Sequence, residues 1–214
     1  MICISIADKK FSECKELVRK EQFVELRLDL LDLDPDEVRD IFSLPYTTIA
    51  TCRPGKFSDE YRLELLTTAI QSGANFVDIE LEMPSEMKEE LVGLADRSDC
   101  EVIISYHNYE ITPPEDELDG LISQCKSEGA DIVKIACQVN NRNDNVRLLT
   151  LLNKDEKLVI VGMGKEGMIT RIAAPILGSI FTYASTGKGD ETASGQLGKE
   201  EMMKVFGLLD IDLE

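Results

Sequence analysis

A lysine within an apolar segment is the residue of this sequence best suited to covalent chemistry. Lys134 lies in the segment 132–136, IVKIA, which is too apolar for a position that faces solvent. Removing an ammonium ion from water is costly, so burial favours the neutral amine, which is a nucleophile. The segment therefore indicates a lysine that forms a Schiff base. The alternative is a lysine whose ammonium reaches solvent past a strand end or pairs with a buried carboxylate.

The only histidine, His107, ends another apolar segment, 101–107. An imidazole changes its charge near neutral pH and is the usual general acid and base of an enzyme. His107 precedes Lys134 by 27 residues, and on neighbouring parallel strands, which lie about 4.8 Å apart, the two side chains are expected to be close. The alternative is a structural histidine with satisfied hydrogen bonds.

Two arginines and several carboxylates are placed to bind a small anion or to pair with one another. Arg53 follows an apolar segment and Arg171 is expected near a helix start; a guanidinium there suits bidentate binding of a carboxylate, whereas the alternative is a surface arginine that caps a helix. Charged residues also alternate within two segments, which predicts either groups that line a site or an internal network of ion pairs. These are Glu25, Arg27 and Asp29 in one segment and Asp78, Glu80 and Glu82 in the other.

The elements that must position these residues are eight short β-branched segments separated by helical patterns. Polar residues recur along them with spacings of 26, 27, 27 and 27, and eight units of 27 would make 216 residues against the 214 present. Alternating strands and helices predict parallel βαβ units, and eight such units predict one α/β domain over 1–214, a compact (β/α)8 (TIM) barrel. Active sites of such barrels lie at the carboxyl ends of the strands. The predicted strands are 2–7, 23–30, 47–52, 75–82, 101–107, 131–137, 157–163 and 179–185.

The composition narrows the class of partner. With 23 basic and 41 acidic residues the net charge is −18, which argues against nucleic acid and anionic membranes. The six cysteines form no CxxC pair and are expected to be buried, reduced thiols. No signal peptide and no membrane span is predicted, and the protein is expected to be soluble and cytoplasmic.

Three glycine-rich or acidic motifs are not interpreted as cofactor or metal sites. The GxGxxG at 162–167 follows the seventh strand, with no strands left to build a dinucleotide-binding half. The acidic run 32–36 lacks the glycine and the glutamate of a calcium loop, and is interpreted as a charged helix start. The loop 185–196 is either a lid that excludes water or an ordinary flexible loop.

The residues together resemble the type I 3-dehydroquinate dehydratases over all eight strands. The histidine, lysine and KEG…R segments occur in an order and at separations that form a specific combination for this resemblance. The matching residues are Glu25-x-Arg27-x-Asp29, Arg53, 78–82, 105–108, 130–136, 163–171 and 192–196.

The resemblance implies a role for each candidate residue. Lys134 would form an iminium with the C3 ketone of 3-dehydroquinate, and His107 would take the C2 proton and release the C1 hydroxyl as water. Arg171 and Gln196 would bind the substrate carboxylate. The residues implied for the ring hydroxyls are Ser5, Glu25, Arg27, Arg53 and Thr192. The family implies no metal and no other cofactor, a place in the shikimate route to aromatic amino acids, and a homodimer.

One position departs from the family pattern. Many members carry an acidic residue four positions after the strand-3 arginine, where it orients the histidine, and this chain has Phe57 there. Asp59, Glu60 or Glu80 is expected to substitute, or the histidine is oriented otherwise. Two other readings stay open: a class I aldolase that acts on a keto sugar, and a catalytically inactive barrel that serves as a binding protein.

Overall fold

The computed structural model describes residues 1–211, and within them strands and helices alternate along the chain. Each strand is followed by a helix. The strands are β1 (Ile2–Ile6), β2 (Phe23–Arg27), β3 (Thr47–Thr51), β4 (Phe76–Glu80), β5 (Glu101–Asn108), β6 (Ile132–Gln138), β7 (Leu158–Met163) and β8 (Thr182–Ser185). The helices are α1 (Phe11–Glu21), α2 (Pro35–Phe42), α3 (Asp59–Gln71), α4 (Ser85–Ala95), α5 (Glu115–Ser127), α6 (Arg142–Thr150), α7 (Met168–Ile176) and α8 (Lys199–Leu208).

The strands form one sheet in the order β7-β6-β5-β4-β3-β2-β1-β8. Consecutive strands are neighbours throughout, and the pairs β1–β2, β2–β3, β3–β4 and β6–β7 are parallel. Short right-handed βαβ crossovers with a helix after every strand are the pattern of a barrel. The fold class is α/β, a (β/α)8 barrel, as the 27-residue period predicts.

The described chain divides into two compact units. The first unit is Ile4–Ile104, and the second consists of residues 1–3 and 105–211. The expectation of one domain over 1–214 stays a prediction. Residues 212–214 lie outside the described residues.

The first unit shows why its local sequence forms these elements. Asp34 accepts hydrogen bonds from the backbone N–H groups of Asp36 and Glu37, both at 2.9 Å, and Pro35 opens α2, so the acidic run is a helix start. At the end of α3, Gly73 has φ +108°, and a Cβ there would approach the Phe42 carbonyl oxygen to 3.2 Å. Helix α3 therefore ends just before this glycine.

The second unit contains both end strands of the sheet order, β7 and β8. The N–H of Ile180 donates to the carbonyl of Leu158 at 2.9 Å, and the N–H of Thr182 donates to the carbonyl of Met1 at 3.3 Å. The segment that leads into β8 is therefore bonded to β7 on one side, and β8 to the chain's first residue on the other.

Three predicted strands are too long by two residues or more, and one of them, predicted over 179–185, begins only at Thr182 as β8. Strand β2 ends at Arg27 and the chain turns through a 3₁₀ helix at Leu28–Leu30, so Asp29 does not continue the alternation of Glu25 and Arg27 along a strand. The turn is closed by the N–H of Leu31, which donates to the Arg27 carbonyl at 3.0 Å. Strand β4 ends at Glu80, and Glu82 beyond it is exposed.

Candidate active site

The ammonium group of Lys134 is buried in the second unit. Lys134 lies in the middle of β6, its side chain is 6% exposed, and Val133 and Ile135 beside it are fully buried. Its Nζ donates to the hydroxyl oxygen of Tyr183 at 3.2 Å and lies 4.3 Å from the centre of that ring. The predicted burial is confirmed, and the alternative of a lysine reaching solvent is wrong.

Tyr183 is a site residue that the sequence analysis did not single out. It lies on β8, is 4% exposed, and packs edge-on against Phe181 with ring centres 5.3 Å apart. The signal that could have found it is the alternation of Phe181 and Tyr183, which places two aromatic side chains on one face of an extended segment.

His107 is the last residue but one of β5, the strand next to β6 in the sheet order. It is half-buried, and its ring stacks on Tyr109 at 6.1 Å between centres and an angle of 17°. The turn after it is fixed because Asn108 Oδ1 accepts from the N–H groups of Glu110 and Ile111, both at 3.0 Å. These bonds hold the backbone in place directly after the histidine.

The loop after β5 is also bonded to the end of β6. Thr112 Oγ1 donates to the carbonyl of Gln138 at 2.8 Å, and Asn140 Nδ2 donates to the carbonyl of Glu110 at 2.7 Å. These two bonds hold together the ends of β5 and β6, the strands that carry the histidine and the lysine. The close approach of His107 to Lys134 stays a prediction.

Arg171 is a buried cation with unsatisfied donors. It is the fourth residue of α7 and 1% exposed. Its Nε and Nη2 have no hydrogen-bond partner among residues 1–211, and burial lowers the pKa of its guanidinium to about 10. A buried, unpaired guanidinium is costly and accepts a planar carboxylate as a bidentate partner. The alternative of a surface arginine is wrong.

The backbone around Arg171 is fixed by neighbouring hydroxyls. Thr170 Oγ1 accepts from the N–H of Gly162 at 2.7 Å and donates to the carbonyl of Gly167 at 2.8 Å. Thr182 Oγ1 donates to the carbonyl of Arg171 at 2.9 Å. The start of α7 is thus attached to β7 and β8, and the glycines of the GxGxxG motif serve close backbone packing.

Gln196 and Thr192 are brought together in the glycine-rich loop. Gln196 Oε1 accepts from the N–H of Thr192 at 2.7 Å and from its Oγ1 at 3.1 Å. The loop packs on the connection between β7 and α7, where Gly195 has φ +75° and a Cβ would meet the Gly164 carbonyl oxygen at 2.3 Å. Only glycine fits at position 195 without moving one of these two loops.

The first unit holds the remaining candidates, and their polar groups are bonded to neighbouring side chains. Glu25 is buried on β2, where its carboxylate accepts from Ser5 Oγ at 2.7 Å and from Thr51 Oγ1 at 2.9 Å. Arg27 binds Asp29 through two nearly parallel bonds, Nε–Oδ1 at 3.0 Å and Nη2–Oδ2 at 2.7 Å. Although burial opposes its charge, Asp29 and Glu25 hold the pKa of Arg27 above its ordinary value.

A second arginine pair lies at the ends of β3 and β4. Arg53 Nη2 donates to Asp78 Oδ1 at 2.9 Å, and its Nη1 is 3.7 Å from Glu80 Oε1. Burial raises the pKa of Glu80, against the opposing charges of Arg53 and Arg62. The predicted network of internal ion pairs is confirmed, including an arginine partner for at least one carboxylate of the 78–82 segment.

Arg62 completes this network and was missed by the sequence analysis. It lies on α3, is 2% exposed, and donates to the carbonyl of Cys52 from Nε at 3.1 Å and from Nη2 at 3.0 Å. It also pairs with Asp59 at 2.8 Å and Glu80 at 3.2 Å. The i, i+3 spacing from Asp59 is the one signal that could have found it. Two of the carboxylates considered as partners of His107 are thus paired with Arg62, and Glu60, the third, is exposed.

Buried thiols are not candidate nucleophiles. All six cysteines are free and buried. Burial raises the pKa of Cys52 and Cys137 to about 12 and that of Cys14 to about 11. A thiol reacts as its thiolate, so these groups are inert near neutral pH.

The described part of the chain contains no group of three or more histidine, cysteine, aspartate or glutamate side chains able to hold a metal ion. Within the same residues, no helix is long and apolar enough to span a membrane.

Similarity to known proteins extends over nearly the whole chain. A family model described as "Type I 3-dehydroquinase" matches residues 2–212. The 3-dehydroquinate dehydratase of Methanococcus maripaludis strain C5 is 36% identical over 224 residues, covering 98% of this chain and 100% of that protein. The protein of the same name from Methanocaldococcus jannaschii is 34% identical, covering 99% of this chain and 100% of that protein.

Solved structures agree with this assignment. A type I 3-dehydroquinate dehydratase from Clostridium difficile, determined with covalently modified comenic acid, superposes with a TM-score of 0.84 at 26% identity, covering 97% of this chain and 91% of that one. A deoxyribose phosphate aldolase from Aeropyrum pernix superposes with a TM-score of 0.62 at 18% identity, covering 98% of this chain and 89% of that one, a likeness of fold alone.

Fold and site together define a (β/α)8-barrel enzyme with a buried lysine on β6 and, on α7, a buried arginine whose Nε and Nη2 have no hydrogen-bond partner among residues 1–211. The chain belongs to the type I 3-dehydroquinase family, and its enzyme class is that of the hydro-lyases.

Proposed function

We propose that the protein converts 3-dehydroquinate to 3-dehydroshikimate and water through a Schiff base on Lys134, with His107 as general acid and base. The observation that carries the proposal is the buried amine of Lys134, 6% exposed on β6. A buried primary amine is the group that condenses with a ketone, and the family's relatives are named for the dehydration of this hydroxyketone.

The first half of the reaction makes the substrate acidic. The neutral Nζ of Lys134 attacks the C3 ketone, and the carbinolamine accepts a proton from the protonated His107 and loses water to leave a protonated iminium. Hydrolysis of the product iminium later returns that proton to His107. The iminium withdraws electrons from C2, so His107 can take the C2 proton and leave an enamine. General acid–base catalysis of this kind contributes roughly 10²–10⁴-fold to the rate.

The second half releases product and restores the enzyme. The protonated His107 gives its proton to the C1 hydroxyl, which leaves as water while the enamine electrons form the C1–C2 double bond. Water then hydrolyses the conjugated iminium, which returns a ketone at C3 and the free amine of Lys134. The electron sink is the iminium itself, so the chemistry asks for no metal and no other cofactor.

The carboxylate of the substrate is assigned to Arg171 and Gln196. The unsatisfied Nε and Nη2 of Arg171 are the two donors of a bidentate guanidinium–carboxylate pair. Gln196 Oε1 is occupied by Thr192, which leaves the amide NH₂ as the donor that faces an anion. The ring hydroxyls are assigned to the remaining polar candidates, Ser5, Glu25, Arg27, Arg53 and Thr192.

The experiment that tests the proposal is reductive trapping. The protein is mixed with 3-dehydroquinate, sodium borohydride is added, and intact mass and peptide mapping are measured. We expect one reduced ligand adduct on the peptide of Lys134. Lys88 is the matched internal control, because it is equally exposed at 6% and donates to the Leu81 carbonyl, and its peptide should stay unmodified.

A second measurement follows turnover by ultraviolet absorbance. The conjugated enone of the product absorbs in the ultraviolet, whereas the substrate does not. A folded protein that gives no enone and no adduct contradicts the dehydratase, whereas an adduct without enone contradicts the dehydration step and leaves another Schiff-base enzyme, such as an aldolase.

For the cellular setting we propose a cytoplasmic homodimer that serves the shikimate route to aromatic amino acids. Light scattering coupled to size-exclusion chromatography measures the oligomeric state directly, and a mass of one chain would contradict the dimer.

A further inference from the structure

We propose that Tyr183 is a positioning residue that holds the Nζ of Lys134 and stabilises its positively charged forms, the ammonium of the free enzyme and the iminium of the intermediate. The inference rests on the proposed Schiff-base function and adds a residue to it.

The geometry supplies two contacts from one side chain. The hydroxyl oxygen of Tyr183 lies 3.2 Å from Nζ and accepts a hydrogen bond from it, while the ring centre lies 4.3 Å from the same atom. A cation within about 6 Å of an aromatic ring centre is attracted by the ring's negative face. Burial disfavours a charge at Nζ, and both contacts of Tyr183 favour it.

Tyr183 is held firmly enough to position another group. It is 4% exposed, and Phe181 packs edge-on against it with an interplanar angle of 77°. The two residues that follow it on β8, Ala184 and Ser185, are fully buried, and the N–H of Ser185 donates to the Leu197 carbonyl at 2.9 Å. A side chain that is fixed on all sides fixes the rotamer of the lysine bonded to it.

Tyr183 can keep its hydrogen bond after the iminium forms, because Nζ of Lys134 still carries one hydrogen. A protonated iminium carries one N–H, and the phenol oxygen can accept it as it accepted an ammonium N–H. No bond to Tyr183 forms or breaks, and the proton stays on nitrogen. The unprotonated imine is a poor electron sink, so an acceptor that keeps the proton on nitrogen speeds removal of the C2 proton.

Other charged groups of the second unit stay the same when only this hydroxyl is removed. Strand β5 carries Glu101, Tyr106 and His107, β6 carries Cys137 besides Lys134, and β7 carries no titratable side chain. Helix α7, which packs against β7 and β8, carries Arg171. The titratable side chains of α5, which packs against β6, are Glu115, Asp116, Glu117, Asp119, Cys125 and Lys126. The charged side chains of α8, which packs against β8, are Lys199, Glu200, Glu201 and Lys204. The variant is therefore compared with the unchanged enzyme over a full pH range.

The test is Tyr183→Phe, which removes the acceptor and keeps the ring, beside Tyr183→Leu, which removes both. The measurements are kcat, KM, and the rate of borohydride trapping at Lys134 against pH. The matched control is Tyr61→Phe, which removes a phenol hydroxyl from α3, where the ring packs on Phe57.

We expect Tyr183→Phe to lower kcat about tenfold, the size of one hydrogen bond to a charged group, with KM nearly unchanged. Loss of the acceptor makes the iminium lose its proton more easily. The alkaline limb of the pH profile, where the rate of borohydride trapping at Lys134 falls, therefore moves to lower pH. Tyr183→Leu moves it further in the same direction, and Tyr61→Phe leaves it in place.

The outcomes separate this inference from the function beneath it. If Tyr183→Phe slows the enzyme and the alkaline limb stays in place or moves to higher pH, Tyr183 does not stabilise the cation and the inference is wrong. If the unchanged enzyme itself gives no adduct on Lys134, the Schiff-base proposal is wrong. If Tyr183→Leu does not fold, Tyr183→Phe alone decides.

Discussion

Both units contain buried arginines, and the two differ in what surrounds the guanidinium. In the first unit Arg62 binds the Cys52 carbonyl and two carboxylates, and Arg53 pairs with Asp78. In the second unit Arg171 is as deeply buried, and its Nε and Nη2 have no hydrogen-bond partner in the described chain. The first arrangement is complete without a ligand, whereas the second lacks the anion that would satisfy it.

The difference separates guanidinium groups that already have carboxylate partners from one whose donors remain available to an anion. A buried ion pair is strongly destabilised when one partner is removed, because the other is left uncompensated. An unpaired buried cation costs stability as it stands, and proteins keep such strain at functional sites. Lys88 and Arg62 of the first unit therefore serve as controls for Lys134 and Arg171 of the second unit.

The largest expected difference is between two lysines of equal burial. Lys134→Met should abolish turnover and borohydride trapping while the fold is kept, since an apolar side chain of similar length fills the site. Lys88→Met should leave kcat unchanged and lower the free energy of unfolding, because it leaves the Leu81 carbonyl without its donor. Enone absorbance and urea unfolding of both variants make the comparison, and residual turnover in Lys134→Met would remove the lysine from the mechanism.

His107→Gln tests the acid–base group of the second unit. We expect kcat to fall by roughly 10²–10⁴-fold, with the iminium accumulating because its formation needs the histidine less than C2 deprotonation does. Mass spectrometry after borohydride should therefore still show an adduct on Lys134. A loss of less than tenfold would mean that another group takes the C2 proton.

Arg62→Met and Arg171→Met should have opposite effects on stability. Arg62→Met removes a buried guanidinium from Asp59, Glu80 and the Cys52 carbonyl and should lower the free energy of unfolding by about 3–5 kcal/mol. Arg171→Met removes an uncompensated charge and should leave that free energy equal or raise it, while KM for 3-dehydroquinate rises roughly 10–100-fold. Urea titration and initial rates measure both, and a strong destabilisation by Arg171→Met would show that its guanidinium is already paired.

The smallest effect concerns the thiols, which do not distinguish the units. Cys52 in the first unit and Cys137 in the second each have a folded pKa of about 12, raised by burial from 9.0. The unfolded chain loses these protons first as pH rises, so the stability they contribute is complete below pH 9 and declines between pH 9 and 12.

Each thiol should contribute a slope of about 1.4 kcal/mol per pH unit in that window. Cys52→Ala and Cys137→Ala should each flatten the alkaline loss of stability by a similar amount, measured by urea unfolding from pH 8 to pH 11. Equal slopes in variant and unchanged protein would mean that the thiol already ionises in the folded state.

The predictable part of this protein is local in sequence. All eight strands are confirmed, with ends displaced by up to three residues, and so is the helix start in the acidic run 32–36. The errors lie at strand ends, where side chains decide the backbone. At Asp29 the two bonds to Arg27 lie within a 3₁₀ turn, and an alternating pattern does not distinguish that turn from two further strand residues.

The missed residues were Arg62 and Tyr183, and both act through partners far away in the sequence. Tyr183 meets Lys134 across 49 positions, and Arg62 meets Glu80 across 18. Arg62 lies on an amphipathic helix, where a charged residue is normally interpreted as solvent-facing. The nearby signals, the i, i+3 spacing of Asp59 and Arg62 and the alternation of Phe181 and Tyr183, do not by themselves show that either side chain is buried.

The sequence by itself determined the 27-residue period, the barrel class and the burial of Lys134, because hydrophobic patterning is a property of neighbouring residues. Only the tertiary structure decided which charges are paired. Arg53 and Arg62 face carboxylates at hydrogen-bond distance and Arg171 faces none in the described chain, although the three are chemically identical. Pairing depends on strand register and helix placement within a few tenths of an ångström, which side-chain type alone does not encode.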